Sequence, residues 1–218
     1  MKVVNFAESR SLVNQYMMEL RDVDIQKDML RFRHNIRRIG QIIAYEISKN
    51  VSYNEQPTTT CLGTATSHIV SEPIVLATIL RAGLPLHQGM NDMFDHAENA
   101  FVSAYRKYID ETKFLIHIEY MASPRIDGKT LIICDPMLAT GSSMELAYEA
   151  LRTKGKPAKV HLVSVIASRQ AIEFLEKKLT GDITLWVGAI DDEINDHKYI
   201  VPGLGDAGDL CYGEKEYR

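Results

Sequence analysis

The residues with the clearest chemical potential lie in a short polar stretch, 135–143, with the sequence Asp-Pro-Met-Leu-Ala-Thr-Gly-Ser-Ser. The apolar run Leu131 to Cys134 precedes this stretch and is long enough for a buried strand. Met144 to Lys154 follows it with the spacing of an amphipathic helix. Where a strand turns through small residues into a helix, free N–H groups converge and the helix dipole adds positive potential. The stretch therefore has the composition of a phosphate-binding turn.

Side chains of the same stretch could contribute to such a site. Thr140, Ser142 and Ser143 carry hydroxyl donors for phosphate oxygens, and the Asp135 carboxylate can accept hydrogen bonds from sugar hydroxyls. The plainer alternative is an ordinary strand, turn and helix in which Ser142 and Glu145 form a capping box. The local sequence leaves both interpretations open.

Two arginines follow other predicted strands. Ile74 to Leu80 is a nearly continuous apolar run, as expected for a strand covered on both faces, and it ends at Arg81. Ala100 to Tyr105 is predicted as another strand, and it ends at Arg106. Ligands of open parallel sheets bind outside the carboxyl ends of the strands, so we expect Arg81, Arg106 and Asp135 to converge there. An ion pair between sheet and helix is the alternative for each arginine.

Strands and helices alternate from residue 73 onward, which predicts an α/β fold with a mostly parallel central sheet flanked by helices. We expect one domain over residues 1–218. Further strands are predicted at Val160–Ala167 and Ile183–Ile190, and a further helix at Pro85–Phe94. Ser168 is predicted to cap another helix that runs to about Leu179. Residues 50–72 have the composition of a loop or a protruding hairpin, and 107–128 that of a mobile hairpin.

The N-terminal part contains a long predicted helix over 26–49. Its apolar face has the spacing of three and four that buries one side of a helix, and it consists of Met29, Phe32, Ile36, Ile39, Ile43 and Ile47. Arginines occupy much of the remaining surface, at positions 31, 33, 37 and 38. They could meet an anion or an effector nucleotide, but a solvated helix face is the plainer interpretation.

The C-terminal part contains a glycine-rich segment, Tyr199 to Asp209. Its glycines and Pro202 argue against the interior of a helix or strand and allow backbone groups to approach a ligand closely. A flexible tail is the alternative. The apolar residues Ile200, Val201 and Leu204 favour a packed loop.

Composition restricts the function classes. A net charge of −4 argues against nucleic acid or an anionic membrane as the main partner, and no apolar run approaches the length of a membrane span. Cys61, Cys134 and Cys211 are too few and too far apart for a disulfide framework or a Cys-x-x-Cys zinc site. The N-terminus lacks the long apolar segment of a signal peptide. We therefore expect a cytoplasmic protein with reduced thiols.

Several of these stretches together resemble one enzyme family. Asp135 to Ser143 closely resembles the loop that binds phosphoribosyl diphosphate (PRPP) in uracil phosphoribosyltransferases. Ile79 to Leu84 is similar to the pyrophosphate loop of that family, and Tyr199 to Asp209 is similar to its uracil-binding segment. Weaker similarity reaches the N-terminus through Leu20-Arg21-Asp22, Phe32-Arg33 and Ala44-Tyr45-Glu46, so the resemblance covers nearly the whole chain.

The resemblance implies a type I phosphoribosyltransferase fold with an N-terminal helix, a mobile flap hairpin over 107–128 and a C-terminal hood loop that binds the base. It also implies transfer of the 5-phosphoribosyl group from PRPP to N1 of uracil, giving uridine monophosphate (UMP) and diphosphate. Mg²⁺ would arrive as the PRPP complex, without direct protein ligands. A homo-oligomer and GTP as an effector are further implications.

Residue roles are carried over position by position from the resemblance. Asp135, Arg106 and Asp206 are implied to be catalytic. The implied PRPP contacts are Arg81, Arg106, Asp135, Pro136, Met137, Leu138, Ala139, Thr140, Gly141, Ser142, Ser143 and Asp206. The implied uracil contacts are Ile200, Gly205, Asp206 and Ala207.

Two alternative functions remain open at the level of sequence. One is a phosphoribosyltransferase that acts on another nucleobase. The other is a regulator that binds PRPP or a nucleotide with little or no turnover. Measured turnover with each nucleobase separates them from the leading interpretation.

Overall fold

A computed structural model describes residues 1–108 and 114–216, apart from the side chains of 104–118. The strands are β1 (Lys2–Asn5), β2 (Tyr53–Thr60), β3 (Gly63–Val70), β4 (Ile74–Leu80), β5 (Glu98–Tyr108), β6 (Phe114–Ala122), β7 (Thr130–Cys134), β8 (Met137–Leu138), β9 (Lys159–Ser168), β10 (Ile183–Asp191), β11 (Glu193–Ile194) and β12 (Ile200–Val201). The helices are α1 (Leu12–Arg21), α2 (Met29–Ser48), α3 (Gly83–Asn91), α4 (Ser142–Arg152), α5 (Arg169–Lys178) and α6 (Ala207–Tyr212).

The central sheet is mostly parallel, as predicted. Its strand order is β1-β10-β9-β7-β4-β5-β6, and β8 also pairs with β9. Along this path the neighbouring strands run parallel, and the exception is the antiparallel pair of β5 and β6 at one end. Parallel pairing brings the carboxyl ends of β4, β7 and β9 to one edge of the sheet, which is where the candidate site lies.

Helices cover both faces of this sheet. On one face α1, α2, α3 and α6 pack in one hydrophobic cluster, to which β4 contributes Ile74 and Leu76. On the other face α4 and α5 pack in a second cluster, to which β4 contributes Val75, Ala77 and Ile79. The alternation along β4 follows from the two-residue period of a strand, and it explains why the run reads as continuously apolar. None of the helices in the described residues is both long and apolar enough to cross a membrane.

The boundaries of several elements differ from the prediction. Arg106 does not follow a strand, because β5 continues to Tyr108 and pairs with β6 as far as Tyr108 and Phe114. The glycine-rich segment is not free of regular structure, because it contains β12 and the start of α6. Asp206 makes this helix start possible by accepting a hydrogen bond from Asp209 N at 3.0 Å. The edge strand β1 and the helix α1 were not predicted.

Both predicted hairpins are present in the described residues. Strands β2 and β3 form an exposed antiparallel hairpin within the predicted range 50–72. Strands β5 and β6 form the hairpin predicted as the flap, although its centre, 109–113, lies outside the described residues. The range predicted for the flap, 107–128, extends too far at its C-terminal end. Strand β6 ends at Ala122, and Ile126 is fully buried with its N–H donating to Lys154 O at 3.2 Å.

The apolar face of α2 gives the first testable prediction. Ile43 is fully buried, whereas Met29, the first member of the predicted face, is 44% exposed. Ile43→Ala should lower the free energy of unfolding by about 2–4 kcal/mol, because it removes methyl groups and leaves a cavity. Met29→Ala is the matched control on the same helix and should change it by less than about 0.5 kcal/mol. Denaturant unfolding of both variants measures the difference, and equal losses would contradict the burial described.

Candidate active site

Arg81 and Asp135 stand at the ends of neighbouring parallel strands. The pairing of β4 with β7 runs from Ile74 opposite Thr130 to Thr78 opposite Cys134, so both strands end at the same edge. Arg81 comes directly after β4, and Asp135 comes directly after β7, as the sequence predicted. The Asp135 N–H donates a hydrogen bond to Val163 O of β9 at 3.0 Å. Two of the three predicted strand-end residues therefore lie where expected.

Arg106 cannot be placed in the same way. Its backbone lies in β5, opposite Ile116 of β6, and its side chain lies outside the described residues. The hairpin of β5 and β6 does begin beside β4, because Leu80 pairs with Ser103. The role assigned to Arg106 stays a prediction.

Arg81 is held beside the C-terminal helix. Its Nη2 lies 3.1 Å from Asp209 Oδ1 and donates to Gly213 O at 3.4 Å. Its Nε is buried and has no hydrogen-bond partner within the residues that the structure describes. A buried donor without a partner costs free energy that an anionic ligand would recover. The surroundings of Arg81 therefore suit an oxyanion.

A further cation lies close to the same place. A Cβ atom built on Gly208 would lie 3.6 Å from Arg81 Nη2, 3.7 Å from Lys215 Nζ and 3.1 Å from Asp206 Oδ1. The predicted contact residues Arg81 and Asp206 are thus brought together around Gly208. Lys215 was missed because its position depends on how the tail folds back, and the sequence gives no signal for that.

The turn 135–143 leads into α4 as predicted, but the helix start is different. Gly141 is the N-cap residue with φ +80, a left-handed conformation that glycine adopts most readily. No side chain caps this helix, so the capping box of Ser142 and Glu145 is not formed. Instead Ser142 Oγ lies 3.1 Å from Thr140 Oγ1, which groups the two hydroxyls at the helix start.

A buried serine anchors this turn to the next helix. Ser168 Oγ donates to Ala139 O at 2.6 Å and accepts from Ala171 N at 2.9 Å. Ser168 was predicted only as the N-cap of α5, and that part is confirmed. The additional bond to Ala139 ties the position of the turn to the end of β9.

The segment 200–207 is packed against the body of the protein. Ile200, Leu204 and Ala207 are 4%, 4% and 3% exposed, which confirms the packed loop and excludes the flexible tail. Gly205 remains exposed, and a Cβ atom on it would lie 3.9 Å from Gln26 Oε1. The predicted uracil contacts thus belong to one short segment, which begins at the β11–β12 hairpin and ends in α6.

Two residues that the sequence did not single out hold this segment. Asp191, the last residue of β10, accepts from Gly203 N at 2.8 Å. Arg21, the last residue of α1, donates to Gly203 O at 2.9 Å and pairs with Asp191. Only the resemblance of Leu20-Arg21-Asp22 drew attention to this part of the chain, and it gave no role.

Comparison with known proteins identifies the family. The model of the family described as uracil phosphoribosyltransferase matches residues 7–214. The chain belongs to the uracil phosphoribosyltransferase family.

Individual relatives of the chain agree with the match to the family model. A uracil phosphoribosyltransferase of Porphyromonas gingivalis is 57% identical over 215 residues, which is 99% of this chain and 100% of the relative. The solved structure of the AQ2163 protein from Aquifex aeolicus has a TM-score of 0.87 at 31% identity, covering 99% of this chain and 100% of that one.

A more distant structure shares the fold alone. A hypoxanthine phosphoribosyltransferase from Staphylococcus aureus has a TM-score of 0.50 at 17% identity, covering 74% of this chain and 76% of that one. The predicted type I phosphoribosyltransferase-like fold is confirmed.

Cysteine chemistry does not fit this phosphoribosyltransferase site. Cys134 and Cys211 are buried, and burial raises the pKa of both thiols, that of Cys211 to about 12. Neither thiol is ionised at neutral pH, so neither is an activated nucleophile. In the described parts of the chain no three His, Cys, Asp or Glu side chains are grouped so that they could hold a metal ion.

Ser168 gives the second prediction. Ser168→Ala should lower the free energy of unfolding by about 1–3 kcal/mol, because Ala139 O and Ala171 N lose a buried partner. It should also weaken PRPP binding, because the turn loses its anchor to β9.

The control is a second buried serine of the same strand. Ser164 Oγ donates to Ile166 O at 2.9 Å, a bond within β9 itself. Ser164→Ala should cost a similar free energy of unfolding but leave PRPP affinity unchanged. Isothermal titration with PRPP and denaturant unfolding test both, and equal PRPP affinities in the two variants would contradict the anchoring role.

Proposed function

We propose that the chain transfers the 5-phosphoribosyl group of PRPP to N1 of uracil, giving UMP and diphosphate in pyrimidine salvage. The model of the uracil phosphoribosyltransferase family matches residues 7–214, and membership of this family supports the proposed reaction. The observation that carries the proposal is the sheet edge at which Arg81 follows β4 and Asp135 follows the neighbouring strand β7. Beside Gly208, Arg81 also lies near Asp206, at the end of the segment 200–207.

The proposed roles divide the PRPP molecule among three parts of the site. Asp135 accepts hydrogen bonds from the 2′ and 3′ hydroxyls of the ribose, and the turn from Pro136 to Ser143 holds the 5-phosphate. Arg81 and Arg106 neutralise the diphosphate, for which planar guanidinium donors are suited. Asp206 lies beside PRPP near the carbon that reacts.

The reaction itself needs positioning more than a nucleophile. The bond from ribose C1 to diphosphate breaks, uracil N1 bonds to C1 and loses its proton, and the transition state has oxocarbenium character. The protein contributes alignment of the base over C1, stabilisation of the departing charge and exclusion of water. The hairpin of β5 and β6 is the proposed flap that closes over the site during turnover.

Magnesium is proposed to enter with PRPP. Such an ion would be held mainly by substrate oxygens, as Mg²⁺ commonly is where it binds together with phosphates. Bound in this way, the ion would neutralise part of the diphosphate charge. Arg81, with its buried Nε, would contribute the protein's share of that neutralisation.

Uracil selection is proposed to rest on backbone groups of Ile200, Gly205 and Ala207. A fixed backbone offers donors and acceptors that match the edge of uracil. Cytosine would leave some of these groups unpaired in a buried site, and such mismatches reject a substrate strongly.

Other properties are proposed from the resemblance alone. These are a homo-oligomer and GTP as an effector. Cytoplasmic location and a single domain over 1–218 are proposed from composition and chain length instead. The two alternative functions are not favoured, because full-length relatives are uracil phosphoribosyltransferases.

A turnover assay tests the proposed function directly. The full chain is mixed with PRPP and Mg²⁺, and nucleotide formation is followed with uracil, cytosine, hypoxanthine and guanine in separate reactions. Uracil alone should give product. PRPP binding without UMP formation would refute the proposed activity and favour the regulator, and product from hypoxanthine or guanine would favour the alternative enzyme.

Variants of two of the three proposed catalytic side chains sharpen this assay. Asp135→Asn and Arg106→Ala should each lower kcat/KM for PRPP by roughly 100-fold or more, because each removes a charged contact to the reacting substrate. Asp182→Asn, an exposed carboxylate just before β10, is the control and should retain activity. Circular dichroism checks that the fold survives, and unchanged rates in both site variants would mean that the site is misplaced.

A further inference from the structure

The backbone of Gly203 is held at both of its polar groups. Its N–H donates to Asp191 Oδ2 at 2.8 Å, and its carbonyl accepts from Arg21 Nη1 at 2.9 Å. Gly203 is buried with φ +61, and a Cβ atom on it would lie 2.0 Å from Ile200 O. No other residue fits this position without moving the chain, so the contacts at Gly203 are sterically defined.

The two holding side chains are themselves joined. Arg21 Nη1 lies 2.7 Å from Asp191 Oδ2, and Arg21 Nη2 lies 2.7 Å from Asp191 Oδ1. Paired donors in this planar arrangement fix orientation as well as distance. We name Arg21, Asp191 and Gly203 together the hood clamp.

The hood clamp is shielded from solvent. The Asp191 side chain is 8% exposed and that of Arg21 is 27% exposed. Burial alone would raise the pKa of Asp191, but the hydrogen bonds from Arg21 and from the Gly203 N–H outweigh burial and lower it. The carboxylate is therefore ionised at neutral pH, and the clamp is intact there.

The position of the clamp connects it to the base rather than to PRPP. Gly203 lies between Ile200 and Gly205, two of the proposed uracil contacts, and a Cβ atom built on Gly205 would lie 3.9 Å from Gln26 Oε1, in the stretch that follows α1. Displacing a recognition group by about 1 Å is enough to lose much of its effect. A glycine-rich loop has few contacts of its own that would prevent such a displacement.

We propose that Arg21 and Asp191 are positioning residues that set the affinity of this site for its nucleobase. This inference rests on the proposed function. Neither side chain touches the reacting atoms. They act through Gly203, and they hold the backbone groups of Ile200 and Gly205 at the spacing that uracil requires.

The simpler explanation is that Arg21 and Asp191 form an ion pair that only stabilises the fold. The free energy expected of a buried ion pair does not support this explanation. A buried ion pair offers little net stability, because desolvation of its charges offsets their attraction. Here each charge also satisfies one polar group of a loop that carries recognition atoms. The two explanations differ in what a variant loses.

The test compares two adjacent aspartates in the full-length protein. Asp191→Asn keeps the shape of the side chain and removes its charge. Asp192 pairs with Arg169 at 2.7 Å, but those side chains are 76% and 62% exposed, so Asp192→Asn is a matched control. Steady-state kinetics with uracil and PRPP varied in turn, together with thermal unfolding, are measured for both.

Asp191→Asn should raise KM for uracil on the order of tenfold, with KM for PRPP within about twofold of wild type. Asp192→Asn should leave both constants unchanged. A lower unfolding temperature with an unchanged KM for uracil, or an equal rise in both KM values, would overturn the inference.

Arg21→Lys keeps the inference testable if Asp191→Asn does not fold. The lysine retains the charge but loses the paired donors, and it should raise KM for uracil selectively in the same way. The wild-type protein separates this inference from the proposed function. Absence of UMP formation by wild type refutes the function, whereas active wild type with an unchanged KM for uracil in the variants refutes only the clamp.

Discussion

The parallel pairing of β4, β7 and β9 is the constraint on which the rest of the site depends. Thr78 lies opposite Cys134 and Cys134 lies opposite Val163, so three strands reach one edge in register. Parallel strands require a crossover after each, and here the crossovers begin with the loop at Arg81, the turn 135–143 and the Ser168 cap of α5. A shift of one residue in either pairing would turn alternate side chains to the wrong face, and a shift between β4 and β7 would also displace Arg81 relative to Asp135.

The part of the site proposed to hold PRPP, its phosphate side, and the part proposed to hold uracil, its base side, are built in different ways. The phosphate side uses short loops that leave the sheet directly, and its extra bond, from Ser168 to Ala139, links neighbouring parts of that edge. The base side uses a glycine-rich segment that is held by residues from both ends of the chain, Arg21 and Asp191. Rigid secondary structure positions the first half, whereas side-chain contacts with distant sequence partners position the second.

Local patterns explain what could be predicted from the sequence. The apolar run Ile74–Leu80 matches β4 in full, because a short apolar run that follows a proline and is rich in β-branched residues favours a buried strand. Arg106 was misplaced because pairing with β6 extends β5, and pairing is not visible in a single strand. The contact of Arg21 with Asp191 spans most of the chain, so no local pattern could reveal it. Local motifs therefore predicted the strand ends and turns at this sheet edge, and tertiary contacts decided which residues support them.

The sequence positions of the hood clamp have a consequence for the order in which the protein assembles. Synthesis begins at the N-terminus, so Arg21 emerges long before Asp191 and Gly203, its two partners. The turn 135–143 can form once β9 and α5 have emerged, because Ser168 and Ala171 complete its anchor. A nascent chain thus acquires the phosphate side first, and the base side closes only when the last strand of the sheet and the segment after it are available.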